Sequence, residues 1–131
     1  MDGYEKLAEI AKALGHPVRL QILQALRVEE ACVCHLEAVL GQRQAYISQH
    51  LMRLREAGLV VDRREGMNVF YTLADESIGA LLDTLQETAG ALVGKLLSFS
   101  PLPGRGAASC TCPKCLAKKG IIPEAEAQTV V

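Results

Sequence analysis

Five cysteines are the residues of this 131-residue chain best suited to chemistry, and they fall into two clusters. Cys32 and Cys34 flank one valine in "ACVCHL", and Cys110, Cys112 and Cys115 form a C-x-C-x₂-C cluster near the carboxyl end. In a reducing compartment such clusters more often bind metal or sense redox state than form structural disulfides. Three or four thiolates suit a thiophilic ion such as As(III), Cd(II), Pb(II), Zn(II) or Cu(I). The cysteines therefore predict a thiolate site.

The spacing of Cys32 and Cys34 restricts where they can share one ion. Residues two apart diverge by about 200° on a regular α-helix, so both sulfurs reach one centre only in extended backbone or where a helix begins. A helix N-terminus also lowers the pKa of a thiol, which favours the thiolate form that binds metal. We therefore expect this pair at the start of a helix, with the tail cluster supplying one to three further sulfurs.

The same residues allow other interpretations. The tail cluster alone could hold a structural zinc ion, which would leave Cys32 and Cys34 without a role in binding. Alternatively, the thiols could form a redox switch that closes by oxidation to a disulfide. His35 follows Cys34 directly and is expected to face solvent rather than to supply a nitrogen ligand.

Composition and charge narrow the class of protein. The chain is 50% apolar, enough for one small core, and its 14 basic and 15 acidic residues give a net charge of −1. No run of eighteen apolar residues occurs, and "MDGYEKLAEI" lacks the features of a signal peptide, so we expect a cytoplasmic protein without a membrane partner. Neither a nucleophile with a base and an orienting partner nor a phosphate-binding glycine loop is evident, which argues against an enzyme.

Apolar spacing predicts four helices in the first half of the chain. The first runs from Tyr4 to about Gly15, the second starts at Pro17, the third spans roughly Cys34 to Leu40, and the fourth follows Gly41 and ends at Gly58. The stretch "LVVDRREGMNVFYTL" then has two β-branched and aromatic runs around residues 65–68, which predict a hairpin. Three helices of this order followed by a fourth and a hairpin indicate a winged helix-turn-helix, a mainly α fold with a small β-hairpin.

The last third of the chain divides into a helix and a tail. From Ile78 to position 96 the apolar residues trace a long stripe that needs a partner, either the first helix or another subunit. After Phe99 the scattered Pro and Gly show no sustained periodicity. We therefore predict a DNA-binding and dimerisation domain over residues 1–98 and a flexible cysteine-containing tail over residues 99–131.

The fourth helix is the candidate for reading DNA. Ile47, Leu51 and Leu54 share its apolar face, and the opposite face is polar with few carboxylates. Between positions 43 and 64, five arginines and two carboxylates give a local charge of +3. The residues expected to contact bases or backbone are Gln44, Tyr46, Ser48, Gln49 and Arg53 on the helix, with Arg63 and Arg64 on the hairpin. The plain alternative is a solvated helix without a ligand.

Two histidines and a tyrosine near these elements have structural explanations. His16 beside Pro17 and Tyr71 in the hairpin are expected to pack. His50 lies near the buried face of the fourth helix, where packing and a DNA contact are equally open.

Several motifs in order, "ALGHPVRLQILQAL", "YISQHLMRLREAGLV" and "REGMNVFYTL", resemble the ArsR/SmtB family of metal-sensing winged-helix repressors over residues 4 to 97. The resemblance implies a homodimer built by the first and last helices, two recognition helices in successive major grooves of a palindromic operator, and weaker DNA binding with inducer. "CVCHL" resembles the family's thiolate motif, which implies Cys32 and Cys34 as ligands. The further cysteine common in arsenic sensors is replaced here by Glu37, and the basic residue frequent after Gly66 is replaced by Met67.

Together these features predict a dimeric repressor that releases operator DNA when its thiolates bind a thiophilic ion. A thiol redox repressor needs no metal and is the first alternative. A metal-carrying or protein-interaction module that does not use DNA is the second.

Overall fold

A computed structural model describes residues 2–95 and 97–99 of the chain. Its elements in order are α1 (Gly3–Leu14), α2 (Pro17–Val28), β1 (Ala31–Cys32), α3 (Val33–Leu40), α4 (Gln44–Glu56), β2 (Val60–Glu65), β3 (Asn68–Leu73) and α5 (Ser77–Val93). The four predicted helices, the hairpin and the long last helix are confirmed, although α5 ends at Val93, three residues before the expected position 96. This mainly helical arrangement with a small sheet is the architecture of a winged helix-turn-helix, and we call the β2–β3 hairpin the wing.

Short-range chemistry explains where the helices begin and end. The Nδ1 of His16 accepts the Val18 backbone N–H at 3.1 Å and Pro17 occupies the first helical position, so α2 starts there. Gly41 ends α3 with φ of 67°, a left-handed conformation that a side chain disfavours. Asp75 Oδ1 accepts the Ser77 N–H at 2.9 Å at the start of α5. His16 therefore has the structural role expected of it.

The three strands form one antiparallel sheet in the order β1-β3-β2. The wing pairs Val60 with Leu73 at its base and Glu65 with Asn68 at its tip. Strand β1, which the sequence did not predict, adds Ala31 opposite Tyr71 and Cys32 opposite Phe70. The segment that carries the first cysteine is therefore part of the same sheet as the wing.

The core lies between α2, α3, α4 and the base of the sheet. Its largest fully buried side chains are Ile22, Leu23, Leu36, Leu40, Ile47, Leu51, Leu54 and Val60. Helix α1 contacts this core through Ala13, Ile10 and Leu14, whereas Tyr4 and Leu7 are exposed. The apolar side chains in the first half of α1 therefore point away from the core.

Helix α5 is also covered on one side only. Ile78 and Leu82 are buried, but the apolar residues Leu81, Leu85, Leu92 and Val93 are exposed. An ion pair of 2.7–2.8 Å between Arg27 and Asp83 ties α5 to α2. None of the described helices is long and apolar enough to cross a membrane. Apart from Phe99, the predicted tail lies outside the described residues.

Candidate nucleic-acid interface and thiol site

Helix α4 presents a polar surface opposite its core face. Because Ile47, Leu51 and Leu54 are at most 1% exposed, the residues on the other side of the helix project outward. Of the predicted contacts, four are exposed and the fifth, Ser48, is half-buried; the exposed ones are Gln44, Tyr46, Gln49 and Arg53. Among the described residues no side chain caps the N-terminus of α4, so its first backbone N–H groups can meet an anion such as a phosphate.

The inner side of α4 rests on a cluster of rings. The His50 ring lies 4.3 Å from that of His16 and 4.6 Å from that of Tyr46, which it meets edge to face. Arg19 Nε donates to His50 Nδ1 at 3.1 Å, and His50 is only 7% exposed. Of the two roles open to His50, the structure supports packing. The contact also fixes Tyr46, the one aromatic residue on the candidate DNA surface.

The surroundings of His50 favour its neutral form. Burial lowers the pKa of His50, and the nearby His16 and Arg19 lower it further. Since Nδ1 accepts from Arg19, a proton on that nitrogen would break the contact. His50 Nε2 is buried and has no hydrogen-bond partner among the described residues.

The wing arginines differ in their surroundings. Arg63 donates to Glu30 at 2.5 and 3.2 Å and to Glu65 at 2.7 Å, and these pairs raise its pKa. Arg55, at the end of α4, pairs with Asp62 at 3.2 Å. Of the five arginines between positions 43 and 64, the remaining three form no salt bridge within the described part of the chain: Arg43, Arg53 and Arg64. Of the two wing arginines, Arg64 is therefore the one that no carboxylate of the described residues neutralises.

Cys32 and Cys34 lie where a shared site is possible. Cys32 is the N-cap of α3 with extended backbone (φ −85°, ψ 169°), and Cys34 is in the first turn of the helix. Their Sγ atoms are 2.8 Å apart. The expectation that the pair sits at a helix start is confirmed. Cys32 is 4% exposed and its Sγ accepts the His35 N–H at 3.4 Å, whereas Cys34 is exposed.

His35 does not face solvent, and that expectation was wrong. The residue is 7% exposed and its Nε2 lies 3.6 Å from Glu29 Oε1. Leu36 and Leu40 mark the buried face of α3, and His35 lies beside Leu36 on the same wide face. His35 is therefore turned into the fold rather than outward.

The geometry allows part of a metal site but not a whole one. Tetrahedral zinc with Zn–S distances of about 2.3 Å holds two sulfurs about 3.8 Å apart, so the thiols of Cys32 and Cys34 would have to separate by about 1 Å. Their soft donors and their position at a helix N-terminus fit a thiophilic ion. Within residues 2–95 and 97–99, no group of three or more His, Cys, Asp or Glu side chains could hold a metal. The predicted ligands Cys110, Cys112 and Cys115 lie outside the described residues.

Comparisons with known proteins agree with this architecture. Residues 16–61 match the arsR family of bacterial regulatory proteins. An HTH-type transcriptional regulator of Methanocaldococcus jannaschii is 41% identical over 88 residues, covering 66% of this chain and 99% of that protein. A transcriptional repressor SmtB homolog of Synechocystis is 39% identical over 92 residues, covering 67% of this chain and 70% of that protein. This chain belongs to the ArsR/SmtB family.

A solved structure supports the same assignment. The homodimeric winged helix-turn-helix DNA-binding domain of a possible ArsR-family regulator from Mycobacterium bovis superimposes with a TM-score of 0.62 at 34% identity. The superposition covers 66% of this chain and 80% of that one. Members of the ArsR/SmtB family are DNA-binding transcription regulators and not enzymes. The family match includes Cys32, Cys34 and all of α4, whereas the tail cysteines lie beyond it.

Two residues near this ArsR/SmtB site were not found from the sequence. Arg19 reaches from α2 to α4, and Glu30 reaches from the segment before β1 to the wing. Each acts on a partner more than thirty positions away, and no spacing pattern marks such a pair. For Glu30, the sequence offered only its charge as a signal, because a glutamate beside a buried strand needs a cation as its partner.

Proposed function

We propose that this chain is a cytoplasmic, homodimeric transcriptional repressor that binds operator DNA and leaves it when cysteine thiolates bind a thiophilic ion. The candidate ions are As(III), Cd(II), Pb(II) and Zn(II). The observation that carries the proposal is the 2.8 Å separation of the Cys32 and Cys34 sulfurs at the start of α3, the helix that directly precedes α4. Cys110, Cys112 and Cys115 would complete a site of three or four sulfurs.

A second copy of the chain is the proposed partner of α1 and α5. Tyr4 is 82% exposed and Leu7 65%, and on α5 the exposed apolar residues include Leu85 and Leu92. A groove between α2 and α5 is also lined mainly by apolar side chains, among them Leu20, Leu82 and Leu85. Exposed apolar side chains concentrated on two helices favour a protein interface. A two-fold dimer would present two copies of α4 to a palindromic operator.

The proposed DNA contacts follow the exposed surface of α4 and the wing. Gln49 and Arg53 project from the exposed face of α4 and can form paired hydrogen bonds to purine edges in the major groove. Gln44, Tyr46 and Ser48 would contact bases or the sugar-phosphate backbone from the start of the helix. On the wing, Arg64 is the better phosphate contact, because Arg63 is already held by two carboxylates.

Ion binding would act on α4 through the position of Cys34. The separation of about 1 Å that a shared ion requires would displace exposed Cys34 and the first turn of α3 as well as Cys32 in β1. Because α3 and α4 pack through Leu36, Leu40 and Leu51 in one core, a shift of α3 would be transmitted to α4. Coupling of about 1–3 kcal/mol would weaken DNA binding by about 5- to 150-fold.

The test is fluorescence anisotropy of the full chain on its own promoter DNA, under reductant, with each of the four ions added in turn. The variant Cys32→Ser/Cys34→Ser should bind DNA normally and no longer respond to the ion. Binding of Cd(II) is followed separately by its thiolate charge-transfer absorption, which should fall in the same variant. A matched variant with serine at positions 110, 112 and 115 tests the tail. Normal release by Cys32→Ser/Cys34→Ser would refute the proposed role of this pair.

A redox switch is the second candidate, and the same sulfur contact favours it. Two thiols this close can form a disulfide by losing two protons and two electrons to an oxidant such as hydrogen peroxide, which is reduced to two waters. Release of DNA by peroxide, its reversal by dithiothreitol and no response to any of the four ions would identify this mechanism. Release by an ion under reductant would exclude it as the main one.

A further inference from the structure

The thiol pair and the wing belong to one sheet. Cys32 in β1 pairs with Phe70 in β3, and Phe70 pairs on its other side with Arg63 in β2. Both Cys32 and Phe70 are buried, 4% and 3% exposed, and they pack together with Ala38 of α3. A change in the position of Cys32 therefore reaches a wing strand directly, without passing through α4.

A side-chain contact closes this connection. The Arg63 guanidinium lies 5.1 Å from the centroid of the Phe70 ring, and its Nε and Nη2 donate to both carboxylate oxygens of Glu30. Glu30 stands two residues before Cys32 and its side chain is only 20% exposed. A bidentate arginine–carboxylate pair fixes direction as well as distance. The backbone from Glu30 to Cys32, the Phe70 ring and Arg63 thus form a closed ring of contacts between thiol site and wing.

The charges around Arg63 assign it a role different from that of Arg64. Arg63 faces two carboxylates, Glu30 and Glu65, so a phosphate could recruit its charge only by displacing them. Arg64, the next residue, has no such partner among the described residues and its side chain is exposed. Two adjacent arginines, both expected from the sequence to meet DNA, are therefore placed in different electrostatic settings.

We propose that Arg63 is a positioning residue of the wing rather than a phosphate contact, and that the Glu30–Arg63 ion pair carries ion binding at Cys32 and Cys34 to the wing. The claim that the ion pair carries ion binding to the wing rests on the proposed function. With the pair intact, β1 and the wing move together, so displacement at the thiols turns Arg64 away from the DNA backbone. With the pair broken, the thiols can bind the ion while the wing keeps its place.

The test compares Arg63→Gln, Glu30→Gln and Arg64→Gln in the full chain, with Arg55→Gln as the matched control from a second ion pair at the base of the wing. DNA affinity is measured across salt concentrations, with and without Cd(II). The slope of log affinity against log salt is negative, and Arg64→Gln should make it less steep by about 0.9, the value for one phosphate contact. Arg63→Gln should leave the slope unchanged. An equal loss of slope in Arg63→Gln would overturn the proposal.

The effect of Cd(II) tests whether the Glu30–Arg63 ion pair connects the thiols to the wing. Cd(II) weakens DNA binding about 5- to 150-fold for an ordinary coupling, and this factor should be at least about threefold smaller in Arg63→Gln and Glu30→Gln. The remainder passes through α3 and α4, and the factor should be unchanged in Arg55→Gln. The double variant Arg63→Gln/Glu30→Gln should respond to Cd(II) like either single variant, because both substitutions break the same ion pair. Unchanged release in both single variants would refute the connection. If the unsubstituted chain does not release DNA with Cd(II), the proposed function fails for this ion. The ion pair is then still tested by two measurements. One is the salt slope, and the other is the alkylation rate of buried Cys32, which should rise in Arg63→Gln.

Discussion

Arg19 Nε donates a 3.1 Å hydrogen bond to His50 Nδ1, which joins α2 to the inner side of α4. The Arg19 Nη1 also donates to the backbone oxygens of Lys12 and Ala13, at 3.2 and 3.3 Å, near the end of α1. One guanidinium therefore connects the end of α1, whose outer face is the proposed dimer surface, to the helix that is proposed to read DNA. Any change in the charge of His50 acts on this connection.

Acid should destabilise the fold through His50. The pKa of His50 is lowered from 6.5 in the folded chain, so the unfolded chain takes up a proton first as the pH falls. The stabilising contribution is complete above about pH 6.5 and is lost progressively below it. Urea denaturation between about pH 8 and about pH 5 measures this dependence. His50→Asn, whose side-chain oxygen can still accept from Arg19, should show a shallower decrease; an identical decrease would exclude His50 as its source.

Operator recognition should depend on the exposed face of α4. Gln49→Ala and Arg53→Ala should each weaken operator binding by about 1–3 kcal/mol, the cost of one lost base contact. Both side chains are exposed, so the free energy of unfolding should change little. Anisotropy with operator and with unrelated DNA separates specific from non-specific loss, and Val28→Ala on the exposed end of α2 is the control. Unchanged operator affinity in both variants would favour a carrier or interaction module instead.

The sequence was most informative where local chemistry decides the structure. Pro17 and Gly41 mark helix ends because the proline ring fixes φ and glycine, without a Cβ, adopts a left-handed φ at little steric cost. The position of the thiol pair at a helix start followed from the same kind of argument, since the angular spacing of side chains on a helix is fixed.

Contacts between segments far apart in the chain could not be predicted from the sequence. Strand β1 has two residues, Ala31 and Cys32, and its partner β3 begins at Asn68, so nothing local distinguishes it from a loop. The burial of His35 depends on how α3 docks against the core, which the eight residues of that helix do not determine by themselves. The roles of Arg63 and Arg64 looked equivalent for the same reason, because Glu30 meets Arg63 only in the folded sheet.

Dimerisation should depend on the outer face of α1. Leu7→Glu places a charge on exposed apolar surface that we assign to the interface, and burial of an unpaired charge is strongly unfavourable. Sedimentation equilibrium should show a shift from dimer to monomer. Val28→Glu is the matched control, since Val28 is 84% exposed and lies on neither α1 nor α5. This choice of interface would be contradicted if both variants dissociated the dimer equally, or if neither dissociated it.

The residue at position 37 tests which sulfurs complete the site. Glu37 lies three positions after Cys34 in α3, so the two side chains share one side of the helix. In a chain with serine at 110, 112 and 115, Glu37→Cys would supply a third sulfur without the tail. We expect that triple-serine chain to lose its response to As(III) and the added Glu37→Cys to restore it, whereas Glu37→Ser should not. The readout is As(III)-dependent release of operator DNA under reductant. A full response in the triple-serine chain would show that the tail sulfurs are not required for As(III) sensing.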